Sequence, residues 1–338
     1  MNKDLNRRQA LRIGGGLALG GTLASCSEAA NSKNGAVEKV AQSAPIANTS
    51  DNLASGDFAP MEFDNPRWNR DMLVRLQGNT DFSQQKWGWY GGRVIGVRPG
   101  EPDKHVCDFE GFSVARMKHL GDGNYRKLLR EVGFYLDKDT GKILEKFDNP
   151  YTGEKVNVVP IANDPFNVTF EEFWPEPPNY GGLNTERPPR RPLLLNWRDF
   201  GDRVLLHTDI HLFYPSSLQP DEWPRESPGK FTQVSEMFSY NILKSDLLAP
   251  NATSIDNMGV WNRITPWFPW LLMEQGPGHM VYVCDFASRK TSADIPQQIL
   301  DAARAIDPKY LEAPTEDYGP NLSSLENYKL TQTPAPKK

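Results

Sequence analysis

The segment Tyr125 to Val159 leaves the chain the least freedom. It reads YRKLLREVGFYL, DKDTG, KILEKF, DNPYTG, EKVNVV: three strand-like runs separated by two short clusters ending in glycine. Asp137-Lys138-Asp139-Thr140-Gly141 and Asn149-Pro150-Tyr151-Thr152-Gly153 each have the composition of a type I turn closed by a left-handed glycine. Turns this tight join antiparallel neighbours, so the segment predicts a three-stranded meander.

Further strand patterns fit 89–97, 105–116, 203–214, 231–241, 260–264 and 279–287, several separated by proline-rich coil such as QPDEWPRESPG. A short helix fits 69–76. A second follows Ser292 or Asp294 as cap, with Pro296 in the first turn and Ile299, Leu300, Ala303 and Ile306 as its apolar stripe. About nine antiparallel strands with few helices predict a mainly β fold: an antiparallel barrel of the lipocalin or calycin type, or a sandwich. A barrel would remove the edges that such strands otherwise expose.

The N-terminal region reads as an address. Arg7 and Arg8 stand in the frame N-R-R-Q-A-L of a twin-arginine export signal, ahead of an apolar run from Ile13 to Ala24 too short to span a bilayer as a helix. The run ends in L-A-S-C, a lipobox pattern that makes Cys26 the expected lipid attachment site. Plain signal cleavage between Ala24 and Ala30 is the alternative. Residues 26–56 hold no Trp, Phe or Tyr and are rich in Ala, Ser and Asn. Such a stretch buries too little apolar surface to offset its ordering entropy. The expected organisation is therefore a signal peptide over 1–25, a flexible tether over 26–56 and one β-rich domain over 57–338. It places the protein in the periplasm, held to the inner or outer membrane by its lipid.

Charge narrows the partners. The formal net charge is −5, and residues 1–25 carry four basic side chains against one acidic, so the remainder is close to −8. That balance argues against nucleic acid as a partner. Cys107 and Cys284 sit in strand-like stretches and read either as a disulfide or as two buried thiols. Neither has the spacing of a zinc site, and no metal or other cofactor is indicated.

Within RVLLHTDIHLFYPS, alternation puts His207, Asp209 and His211 on one face of a strand. Residues i and i+4 of a strand lie about 13 Å apart, which is poor geometry for three ligands to one metal. A His–Asp pair for acid–base work stays open beside a plain solvent-facing polar row, with Val204, Leu206, Ile210 and Leu212 turned to the core. Glu236, which shares a face with Phe238 and Tyr240, joins them as a catalytic candidate. The aromatic runs Trp87-Gly88-Trp89-Tyr90 and WNRITPWFPWLLM supply core or a cavity wall; a loop carrying Trp267, Phe268 and Trp270 could close the mouth of an apolar pocket. Arg116 and Arg130 are charges embedded in strands beside Glu110 and Glu131. They serve either a buried Arg–Glu network or a substrate anion. Asp164, in Asn163-Asp164-Pro165, is a turn residue and a weaker candidate.

The stretches FEGFSVARMKHLGDGNYRKLLREVGFYLDKDTG, NPYTGEKVNVVPIANDPFN, GDRVLLHTDIHLFYPSSLQPDEWPRESPG, SEMFSYN and WNRITPWFPWLLM resemble the bacterial domain-of-unknown-function family 1838. The likeness runs from about Phe63 to about Tyr328, implies export for many members and brings no activity. The functional expectation is thus an exported lipoprotein whose aromatic-lined barrel holds a small apolar or amphipathic molecule, with acid–base isomerase, lyase or hydrolase chemistry in one version. A non-catalytic carrier is the alternative, and an envelope scaffold the third. The sequence does not specify an oligomeric state.

Overall fold

The computed structural model describes residues 60–175 and 189–337. Arg7, Arg8, Cys26 and the expected tether lie outside them. Helix α1 (Pro66–Gln77) leads into strands β1 (Lys86–Val97), β2 (Lys104–Gly121) and β3 (Asn124–Leu136), the small hairpin β4 (Lys146–Asp148) and β5 (Lys155–Asn157), and short strands β6 (Ile161–Asn163) and β7 (Val168–Phe170). There follow β8 (Asn196–Phe200), β9 (Arg203–Pro215), β10 (Phe231–Leu243), α2 (Lys244–Leu247), β11 (Asn257–Thr265), β12 (His279–Arg289), α3 (Gln297–Ile306) and α4 (Ser324–Thr331).

Ten strands form one antiparallel sheet in the order β6-β3-β2-β1-β12-β11-β10-β9-β8, with β7 also on β3. Among the described residues no ladder joins β6 or β7 to β8, so the mainly β fold is an open barrel or sandwich and not a closed barrel. Between the two edges, Trp174 N donates to Arg191 O and Leu193 N to Glu172 O, and Phe173 bridges Pro192.

The two glycine turns form as read. Gly141 and Gly153 have φ of 67° and 73°, and their N–H groups close onto Asp137 O and Asn149 O. The meander itself divides. After a bridge from Leu136 to Ile143 the chain leaves the main sheet, and β4 and β5 pair only with each other. The edge of β3 is occupied by β6 and β7 (Gly133 opposite Ile161, Lys127 opposite Val168), while Phe147 and Val156 bury against the aromatic core.

Helix α1 begins with Asn65 as N-cap and Pro66 at its first position, and buries Met72, Leu73, Val74 and Leu76. These pack on Met117, Phe170, Trp197, Leu206, Tyr240 and Ile242, drawn from both flanks of the sheet, so α1 stoppers one end of the space the sheet encloses. Asn69 ties it in. Its amide donates to Phe63 O and Asn65 O, and its carbonyl accepts from Leu195 N and Trp197 Nε1. On the outer face, α3 lays Ile299 and Ala303 over Phe112, Val132 and Phe134. Neither Ser292 nor Asp294 caps it: Asp294 pairs with Arg289, and the helix starts directly after Pro296, which takes the cap position instead of the first turn.

Candidate functional site

Register decides which residues meet inside. Tyr90 is opposite Phe286 and Gly111, Phe109 opposite Tyr135, Arg263 opposite Glu236 and Tyr282, and Trp261 opposite Phe238 and Cys284. Directly paired residues share a face, so all of these line the enclosed side. The aromatics interlock: Phe109 lies edge-on to Tyr282 at 5.1 Å, Phe238 stacks on Trp261 at 6.3 Å, and Tyr135 meets Phe268 at 4.8 Å. Such pairs contribute about 0.5–1.5 kcal/mol each beyond burial. Facing glycines make room for them. A Cβ on Gly111 would fall 2.6 Å from the Tyr90 ring, and one on Gly133 would fall 2.4 Å from Phe109.

The opposite end from α1 is hollow. A cavity of about 110 Å³ lies between Tyr135, Tyr282, Arg263 and Thr232 on the sheet, Trp267, Phe268 and Trp270 on the loop after β11, and α4 over the mouth. That loop turns through a short 3-10 element at Pro269–Leu271, as its prolines suggested, and buries its aromatics. The capping box between Ser323 and Glu326 fixes the start of α4, which places Leu325, Asn327 and Tyr328 against the cavity.

Polar groups cluster along one wall. Arg263 Nη1 stands 3.4 Å from Glu236 Oε1, and Trp261 Nε1 donates to Glu236 Oε2 at 3.2 Å. Tyr135 and Tyr282 share a hydroxyl–hydroxyl hydrogen bond of 3.1 Å. Burial works against the charge of Arg263, but Glu236 and the surrounding tyrosines outweigh it and hold its pKa above the ordinary value. Burial, reinforced by the charge of Glu236, raises the pKa of Glu131, which accepts from Asn163 at 3.4 Å. Asn163 accepts in turn from Asn327 of α4, which links this carboxyl to the cavity mouth. Burial likewise raises Tyr135 and Tyr282, keeping both as neutral hydroxyls.

The residues singled out from sequence divide between the two faces. Glu236, Tyr90, Tyr240, Trp267 and Trp270 lie on the enclosed side; Trp267 and Trp270 line the cavity, whereas Tyr240 packs in the core beside α1. His207, Asp209 and His211 are exposed on the outer face of β9. Asp209 and His211 pair at 2.9 Å, and His211 also contacts Ser235 at 3.0 Å. The row faces solvent while Val204 and Leu206 are buried on the other face, but Ile210, expected in the core with them, is exposed and Leu212 is only half-buried. Trp87 and Trp89 also point outward, under the α3 layer, and Trp89 donates to Glu110 at 2.7 Å. Arg116 contacts the carbonyls of Phe82 and Ser83. Arg130 ion-pairs with buried Asp164 at 3.1 Å and donates to the carbonyls of Lys309 and Glu312. Both arginines are structural ties outside the cavity, since strand parity puts them on the face opposite Glu131. Cys107 and Cys284 are buried free thiols, raised by burial.

Arg263, Thr232 and the Tyr135–Tyr282 pair were not among the sequence candidates. A signal for Arg263 existed: Trp261, Arg263 and Thr265 share a face on a strand beside Glu236.

The family described as "Protein of unknown function (DUF1838)" matches residues 83–332. No curated protein matches. Among solved structures, one described as "Crystal Structure of Rv2717c from M. tuberculosis" aligns over 70% of this chain and 99% of its own at 10% identity, with a TM-score of 0.22.

Proposed function

The chain belongs to the DUF1838 family, and within it we propose that this protein binds a small, largely apolar or amphipathic molecule in the cavity beneath α4. One observation carries the reading: a partly open hollow walled by Trp267, Phe268 and Trp270 with a few polar groups converging on one side. That combination of apolar wall and sparse oriented polar atoms is what small-molecule sites share. Well-packed interiors leave few voids larger than a water, so a hollow of this size bordered by buried Tyr135, Trp267, Phe268, Trp270 and Tyr282 supports the binding reading.

Binding with no chemistry accounts for the geometry. The acid–base version keeps one structural support, the proximity of the Glu131 carboxyl, with its raised pKa, to Glu236 and Arg263. His207, Asp209 and His211 on the outer face take no part in it.

Tryptophan fluorescence titration with a naphthalene-type apolar probe tests the reading. Wild type should quench saturably. Ile161→Trp, which fills the cavity from the edge strand β6, should lower probe affinity at least tenfold. Saturable quenching unchanged by Ile161→Trp would refute the assignment of the site.

A further inference from the structure

We infer that the molecule held in this cavity is an organic acid, its carboxylate received by Arg263 and Thr232 and its apolar body lying against the Trp267–Phe268–Trp270 wall. This rests on the binding reading above and names the ligand class.

Two unused hydrogen-bonding atoms carry the inference. Arg263 Nε and Thr232 Oγ1 are buried, line the same cavity, and have no hydrogen-bond partner in the protein. Thr232 is only 2% exposed, so its hydroxyl is shut off from bulk water. A buried donor without an acceptor costs about 1–3 kcal/mol, more when charged, and native interiors seldom leave one unmatched. Both atoms can donate, and a guanidinium edge beside a hydroxyl matches the two oxygens of a carboxylate.

Arg263 is free to do this because Glu236 engages it from one side only, through Nη1 at a long 3.4 Å. The neutral hydroxyls of Tyr135 and Tyr282 border the same space. Opposite these groups the loop offers only aromatic surface and proline, with no second charge to orient a zwitterion or a dianion.

The test is calorimetric titration of the full chain with two matched sets: 3-phenylpropanoate against 3-phenylpropanol and 3-phenylpropanamide, and decanoate against decanol. Wild type should bind each acid at least tenfold more tightly than its neutral partners. Arg263→Met should erase that preference while leaving the affinity for the alcohols within threefold, and Arg263→Lys should restore part of it. Thr232→Val should weaken the acids several-fold and spare the alcohols. Equal binding of acids and neutral partners to wild type would overturn the carboxylate assignment and leave the cavity standing. So would a preference for acids that survives Arg263→Met. Absence of binding by every compound in both sets would overturn the cavity reading along with it.

Discussion

Lys127 projects from β3 into the enclosed side, where its ammonium donates to Gln77 Oε1 at 2.9 Å and stands 5.8 Å from the Phe170 ring. Desolvation lowers its pKa from 10.5 to about 8, against a smaller opposing attraction from Glu131. A depression of that size corresponds to about 3 kcal/mol of destabilisation while the amine is charged in both states. Lys127→Met should therefore stabilise the protein at pH 7 by about 1–3 kcal/mol, the lower figure allowing for the lost hydrogen bond to Gln77. The sign with pH follows. Below pH 8 folded and unfolded chains both hold the proton and the penalty is complete. Between pH 8 and 10.5 the folded chain sheds it first, the unfolded chain binds more protons, and wild-type stability gains relative to the variant. The advantage of Lys127→Met should shrink across that interval and vanish near pH 10.5. Urea unfolding of both proteins at pH 7, 8, 9 and 10 measures it, and the difference between the curves cancels the titration of the buried tyrosines. A variant less stable than wild type at pH 7, with a difference that does not change with pH, would refute the reasoning.

Other perturbations have defined outcomes. Asn69→Ala leaves Leu195 N and Trp197 Nε1 without their acceptor and should cost about 3–5 kcal/mol in denaturant unfolding. Gly111→Ala places a methyl 2.4 Å from Val132 O and 2.6 Å from the Tyr90 ring; it should destabilise by about 1–3 kcal/mol and lower the melting temperature by several degrees. The double change His207→Ala with His211→Ala touches only the outer row of β9. It should leave both stability, within about 0.5 kcal/mol, and probe binding unchanged.

Much of the fold was legible because alternation in a strand reports burial directly. Val204 and Leu206 read as inward and are buried, whereas Ile210, expected beside them, is exposed and Leu212 only half-buried; both glycine turns close where their residues required. Partnership was less legible. Nothing local in KILEKF says that β6 and β7 will take the edge of β3 and leave β4 with β5. The site was half visible for the same reason. A run such as Trp87-Gly88-Trp89-Tyr90 looks like one aromatic cluster, yet successive side chains go to opposite faces, so Trp87 and Trp89 meet α3 while Tyr90 enters the interior. Arg130 and Glu131 divide in the same way, the arginine to Asp164 and the glutamate toward Glu236. The orphaned atoms of Arg263 and Thr232 have no sequence signature, because being unpartnered is a property of the assembled wall.

The central claim is that the hollow under α4 holds a small organic molecule. Native mass spectrometry of the protein purified from its own cells tests it most directly. The account expects a complex heavier than the chain by a discrete organic mass that is released on denaturation and is absent from Ile161→Trp. A bare protein mass for wild type under the same gentle conditions, with no uptake of an added apolar acid, would contradict it.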